Sequence, residues 1–149
     1  MSKPRFGRKP APAVLTEKDV DRQISDFMAH RGWRRIRNNV GMMQGAGGKP
    51  VVFGERGMCD LKFVRYFAEP YGAALNLWVE TKKPGASTSC RCRPGDGKLC
   101  RTCNQAAWRQ RERERGGVCW VVDDFREFET LYTQRFGWLP SANGQWRLF

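Results

Sequence analysis

At 149 residues the chain suits one domain, and 40% apolar residues with nine Phe and six Trp are enough to fill its core. No apolar run approaches the ~20 residues of a membrane span, and no apolar stretch follows the basic N-terminus, so a soluble, intracellular protein without a secretory signal is expected. Lys and Arg total 27 against 15 acids, a net charge of +12 that gathers polyanions; nucleic acid is the expected partner, and a membrane surface is not, because the basic residues do not fall on one long amphipathic helix.

Residues 1–13 carry Lys3, Arg5, Arg8 and Lys9 among prolines and read as a flexible basic arm. A helix is expected from Thr16, where Thr16 and Asp19 make a capping-box variant, with Val20, Ile24, Phe27 and Met28 recurring at helical spacing and Gly32 ending it. Arg34 to Val40 reads as a short strand and Gly41 to Gly48 as a glycine-rich loop that lacks any nucleotide-cradling pattern. Leu61 to Phe67 and Leu75 to Lys82 read as strands joined by a Pro70-Tyr71-Gly72 turn into a hairpin. A cysteine cluster follows, then a helix from about Asn104 to Arg115 and a buried strand from Val118 to Val122. Asp123 or Asp124 caps a final helix with Phe125, Phe128, Tyr132 and Phe136 on one face. This order describes an α/β architecture, a mixed sheet flanked by helices.

The expected hairpin gathers the residues that carry chemistry. Strand side chains alternate, so Glu80 and Lys82 share one face and Leu75, Leu77 and Val79 the other. Asp60, at the start of the first strand, approaches Glu80 if the strands pair. Two carboxylates suit a hard divalent cation such as magnesium, which polarises a phosphoryl oxygen and activates bound water. A neighbouring lysine positions that water or offsets developing charge. The plain alternative is a surface ion pair at the end of a hairpin.

Four of the six cysteines, Cys90, Cys92, Cys100 and Cys103, fall within fourteen residues. With no secretory signal such a cluster reads as a structural four-cysteine zinc knuckle, spanning 86–104 and turned by Pro94-Gly95-Asp96-Gly97. Arg91, Arg93, Lys98 and Arg101 decorate it and are candidate DNA contacts, or simply a solvated basic loop. His30 is the single histidine, which argues against a histidine-based hydrolase. Cys119 reads as core. Trp33, Trp138 and Trp146 could stack bases, but packing is the simpler reading. The Trp108-to-Arg115 run reads as a solvated helix face.

Five short motifs occur in an order that resembles the VRR-NUC branch of the PD-(D/E)XK nucleases. Arg56-Gly57-Met58-Cys59-Asp60-Leu61 resembles the R-x-G-x-P-D-L segment, and Val79-Glu80-Thr81-Lys82 the I/V-E-x-K motif. Glu17 with Val20 and Ile24 resembles the first-helix acidic motif, Arg37-Asn38-Asn39-Val40-Gly41 the R-N-x-x-G turn, and Gln105-Ala106-Ala107-Trp108 the Q-x-x-W helix. Gly117 with Val121-Val122 fits the final strand. The resemblance covers roughly residues 16–132.

It implies a restriction-endonuclease-like fold over 14–138, followed by 139–149 as a C-terminal tail; the knuckle departs from the family pattern, which often has a short loop there, and reads as a small zinc-binding insertion. It implies a magnesium- or manganese-dependent endonuclease on DNA. Asp60 and Glu80 would bind the metal, Lys82 assist the water, and Glu17 add a carboxylate, with Asp21 one turn on as a substitute. Gln105 would support the lysine and the phosphate, and Arg37 and Arg56 would contact DNA. Small members of this family are associated with phages and with branched or flapped DNA, which implies a homodimeric, structure-selective nuclease such as a junction resolvase, cytoplasmic in a bacterial or phage-infected cell. Cys59 stands where the family pattern has proline, and a thiol there would make the enzyme oxidation-sensitive. The reading from a different class is a non-catalytic, zinc-stabilised nucleic-acid-binding module.

Overall fold

The computed structural model describes residues 14–38, 41–45, 47–67, 73–95 and 97–140. The basic arm, the Pro70-Tyr71-Gly72 turn, Asn39, Val40, Asp96, Trp146 and tail residues 141–149 lie outside them.

Helix α1 spans Glu17–His30. Thr16 caps it, its hydroxyl oxygen accepting from the Asp19 backbone while the Asp19 carboxylate accepts from the Thr16 N–H at 2.9 Å, so two otherwise orphaned donors are satisfied reciprocally. Strand β1 is Arg34–Arg37, β2 Gly41–Gln44, β3 Pro50–Phe53, β4 Leu61–Tyr66 and β5 Ala74–Thr81. Helix α2 spans Arg101–Glu114, β6 Val118–Val122, and α3 Phe125–Phe136, the last capped by the Asp124 side chain.

The main sheet runs β1-β4-β5-β6, antiparallel except for the parallel β5–β6 pair. A parallel pair requires a crossover, and α2 provides it. The sheet is covered on both faces. Leu77 and Val79 of β5 and Val122 of β6 pack with Val20, Ile24 and Phe27 of α1 and Phe128, Tyr132 and Phe136 of α3. The other face is covered by α2, whose buried Trp108 meets Cys59, Cys119 and Trp78. This mixed α/β arrangement, three helices on a mixed sheet, is the architecture expected from the element order.

Two expectations change. The glycine-rich segment contains β2, which pairs with β3 in a separate two-stranded antiparallel sheet. Met43 and Val51 face each other there and both are exposed. Helix α2 begins at Arg101 rather than Asn104, with Cys100 as N-cap and no side-chain cap bond, so no Ser, Thr, Asp or Asn marks its start. Of the tail, Leu139 packs on the core and the Pro140 carbonyl accepts from Arg65 at 2.5 Å.

Candidate functional site

The β4–β5 register ends at Leu61 opposite Val79. Carried one step further, the same register would set Asp60 opposite Glu80, the approach that the hairpin reading expects. Beyond Thr81 the pairing continues, because the Lys82 N–H donates to the Val122 carbonyl at 2.9 Å, so Lys82 leaves β5 on a held backbone. Glu80 and Lys82 both lie on the α2 side of the sheet.

Glu80 is 1% exposed, an unusual burial for a carboxylate. Its Oε1 accepts from Lys82 Nζ at 2.5 Å and from Gln105 Nε2. Lys82 also donates to Gln105 Oε1 at 3.0 Å, closing a triangle between β5 and α2. Oε2 of Glu80 is buried and has no hydrogen-bond partner. A buried carboxylate oxygen without a partner is costly unless something else occupies its lone pairs.

A cavity of about 350 Å³ opens over this triangle, and Glu17, Asp60, Glu80, Lys82 and Gln105 all line it. The five residues named from sequence as catalytic are thus brought to one place. An adjoining cavity of about 330 Å³ is lined by Glu17, Asp21, Arg37 and Asp60. Asp21 is held there by an ion pair with Arg35 at 3.0 Å and a bond from the Ser25 hydroxyl, which leaves Glu17 the less committed acid of α1. Arg56 is exposed on the turn before Asp60 and lines neither cavity.

Gly57 sets the distance between that turn and α2. Its φ is +87°, and a Cβ on it would collide with the Asn104 carbonyl and stand 2.9 Å from the Gln105 nitrogen. Only glycine permits both the conformation and the close approach. Behind it, Trp108 Nε1 donates to Glu55 Oε2 at 2.9 Å, a second tie between this turn and α2.

Cys59 is fully buried against Trp108 and Cys119, and burial pushes its thiol well above the usual range. Burial likewise lifts Cys119 to about 11. A buried protonated thiol is a poor target for oxidants, so the oxidation sensitivity expected of Cys59 is not favoured by its surroundings.

Cys90, Cys92, Cys100 and Cys103 place their sulfurs within 4.8 Å of one another. A tetrahedral Zn–S distance of ~2.3 Å sets sulfurs roughly 3.8 Å apart, so a small contraction completes the shell. Backbone N–H groups of Arg91, Cys92 and Cys100 already point at Cys100, Cys90 and Cys92 sulfurs, at 3.3, 3.3 and 3.2 Å. Donors of this kind stabilise thiolates, the form that binds metal. The Arg91 backbone draws the Cys100 thiol down to about 6, and the Cys92 backbone lowers Cys90. Cys103, hydrogen-bonded to Cys90, is pushed up. The group could hold a metal such as zinc. Among the described residues it is the one set of three or more His, Cys, Asp or Glu close enough to share an ion. The carboxylates share a cavity without converging to that degree. Arg91, Arg93, Lys98 and Arg101 are all exposed around the knuckle.

Of the residues set aside from sequence, Trp33 is core, 4% exposed and donating to the Tyr132 hydroxyl at 3.0 Å, and His30 is exposed at the end of α1. Arg109, Ser87 and Thr88 also line the larger cavity and were missed. Arg109 follows Gln105 by four residues on one helix face, but its run of arginines and glutamates reads as solvated until α2 is placed over the sheet.

No helix among the described residues is long and apolar enough to cross a membrane. No model of a known protein family matches the chain, and no curated protein matches it.

Proposed function

We propose that the protein is a metal-dependent nuclease that hydrolyses DNA phosphodiester bonds, of the restriction-endonuclease-like type that its motifs resemble in the VRR-NUC branch. The observation that carries this reading is Glu80: buried, gripped through Oε1 by Lys82 and Gln105, left with a bare Oε2, and lining one cavity with Asp60 and Glu17. A divalent cation fits an orphaned carboxylate oxygen of this kind. Asp60 and Glu80 would hold magnesium or manganese, with Glu17 as a further carboxylate. When bound, the ion supplies Lewis acidity toward the phosphate and a lowered pKa for bound water. Glu80 keeps its orientation because Lys82 and Gln105 fix the other oxygen. Lys82 orients the attacking water and offsets negative charge on the phosphate. Gln105 holds Lys82 in that position.

Cys90, Cys92, Cys100 and Cys103 would hold a structural Zn²⁺, since four thiolates leave no open coordination position. Selectivity for branched, flapped or junction DNA, a homodimer, and action in the cytoplasm of a bacterial or phage-infected cell follow from the resemblance.

One observation favours a second reading. The thiols converge on a ready-made metal site and the carboxylates do not, which suits a zinc-stabilised, non-catalytic nucleic-acid-binding module. Cleavage of plasmid, single-stranded, flapped and four-way-junction DNA with added magnesium, manganese or neither separates the two. Metal-dependent cutting lost in folded Asp60→Ala and Lys82→Ala supports the nuclease, and the substrate ranking assigns its subtype. Binding of all four DNAs without cutting supports the module.

A further inference from the structure

The larger cavity is lined by both acidic and basic side chains. Glu17 of α1, and Asp60 and Glu80 at the end of the β4–β5 pair, bring the carboxylates to it. Ser87, Thr88, Arg101 and Thr102, from the cysteine-bound loop and the start of α2, line the same cavity, with Arg109 further along the helix. The knuckle is therefore part of the cavity and not a remote ornament. Residues either side of its ligands build the wall, Ser87 and Thr88 before Cys90 and Arg101 and Thr102 between Cys100 and Cys103.

Arg101, Gln105 and Arg109 follow one another at four-residue spacing, so they form a single stripe along α2. Each arginine is displaced from Gln105 by about 6 Å along the helix axis. Neither arginine has an ion pair or hydrogen bond to another described residue, although acids line the same cavity, and Arg109 is half-buried. Both guanidinium groups are therefore uncommitted, and a charge-assisted, two-pronged hydrogen bond to an incoming phosphate displaces no internal ion pair. Arg113 of the same helix instead donates to the Cys119 carbonyl at 2.8 Å, and Arg115, at the C-cap, pairs with Glu112 at 3.0 Å.

We infer that the knuckle and α2 form a phosphate-binding wall in which Arg101 and Arg109 hold the two nucleic-acid phosphates flanking the one beside Glu80, with Gln105 marking the centre. This rests on the nucleic-acid reading proposed above. It assigns the cysteine-bound insertion a direct part in substrate binding and places the backbone along α2.

The test measures the affinity of the full zinc-loaded chain for a labelled DNA duplex, with calcium replacing magnesium so that binding is read without cleavage, at several salt concentrations. Wild type is compared with Arg101→Gln, Arg109→Gln and Arg126→Gln, the last an exposed arginine on α3 that lines none of these cavities, each checked for fold by circular dichroism. The expected result is about fivefold or more weaker binding for each of the first two, a log–log salt slope shallower by about one per arginine, and a change under twofold for Arg126→Gln. Arg101→Gln and Arg109→Gln variants that bind like Arg126→Gln overturn the wall. Because binding and cleavage are read separately, wild type that binds through these arginines but never cuts removes the nuclease and leaves the wall. Wild type that cuts, with binding indifferent to both arginines, removes the wall and leaves the nuclease.

Discussion

Lys82 Nζ donates to Gln105 Oε1 at 3.0 Å, so the end of β5 and the second turn of α2 meet over the buried carboxylate of Glu80. Gln105 acts by holding Lys82 and Glu80, and its loss leaves the remaining groups present but loosely aimed. Gln105→Ala is expected to lower DNA cleavage by about 10–100-fold, the usual cost of removing an outer partner of a metal ligand. The same variant should need more magnesium for half-maximal rate. A magnesium titration of single-turnover cleavage reads both, and unchanged magnesium demand would remove the positioning role.

Gly57 and Gly85 form a matched pair of tests. Both have positive φ, +87° and +70°, but a Cβ on Gly85 meets nothing within 4 Å whereas one on Gly57 strikes the Asn104 carbonyl. Gly85→Ala should cost about 1 kcal/mol of backbone strain. Gly57→Ala should cost about 2 kcal/mol more than that and also reduce cleavage, because α2 must move away with Gln105. Urea denaturation of the two variants gives the comparison, and equal losses would show that the turn and α2 are not packed this closely.

Metal removal should act on α2 first. Its N-cap, Cys100, offers no side-chain cap bond, so a metal held by the cysteine cluster would add order to the first turn. One zinc per chain is expected, and stripping it should raise amide exchange over residues 100–106 while the β4–β5 hairpin keeps its protection. Exchange measured by mass spectrometry with and without zinc reads this directly. Uniform loss across the chain would mean that the metal supports the whole fold.

The buried thiols set an alkaline limit. Burial holds Cys119 up at about 11 and raises Cys59 further. With folded pKa values above the unfolded value of about 8.5, the native state keeps protons that the unfolded chain releases. Stability from these thiols is fully present below that value and falls as pH rises toward 11. A Cys119→Val variant should therefore lose part of the decline in melting temperature between pH 9 and 11. An unchanged decline would assign it to other groups.

Much of the architecture is legible in the residues because burial leaves a period behind. Val20, Ile24, Phe27 and Met28 mark α1, and Phe128, Tyr132 and Phe136 mark α3, all buried. The β4–β5 pair is readable from its branched residues, and with it the approach of Asp60 to Glu80. What stays hidden has physical reasons. In the β2–β3 hairpin Met43 and Val51 are both exposed, and its first strand lies in a glycine-rich run that reads as a loop. Cys100 as N-cap does not look like a helix start. Arg109 sits in a run of arginines and glutamates that reads as a solvated face, and only the position of α2 over the sheet turns it toward the cavity. The bare Oε2 of Glu80 is a property of packing that no spacing could reveal.

The most direct measurement is conversion of supercoiled plasmid by wild type and by Glu80→Gln, with magnesium added or omitted and zinc kept in place throughout. Glu80→Gln preserves the size of the side chain but removes the charge that would hold the cation. The expected result is magnesium-dependent nicking or linearisation by wild type, and a rate at least about 100-fold lower for the folded variant. Folded wild type that leaves the plasmid intact in magnesium, or Glu80→Gln that cuts as fast as wild type, would contradict a nuclease centred on this carboxylate.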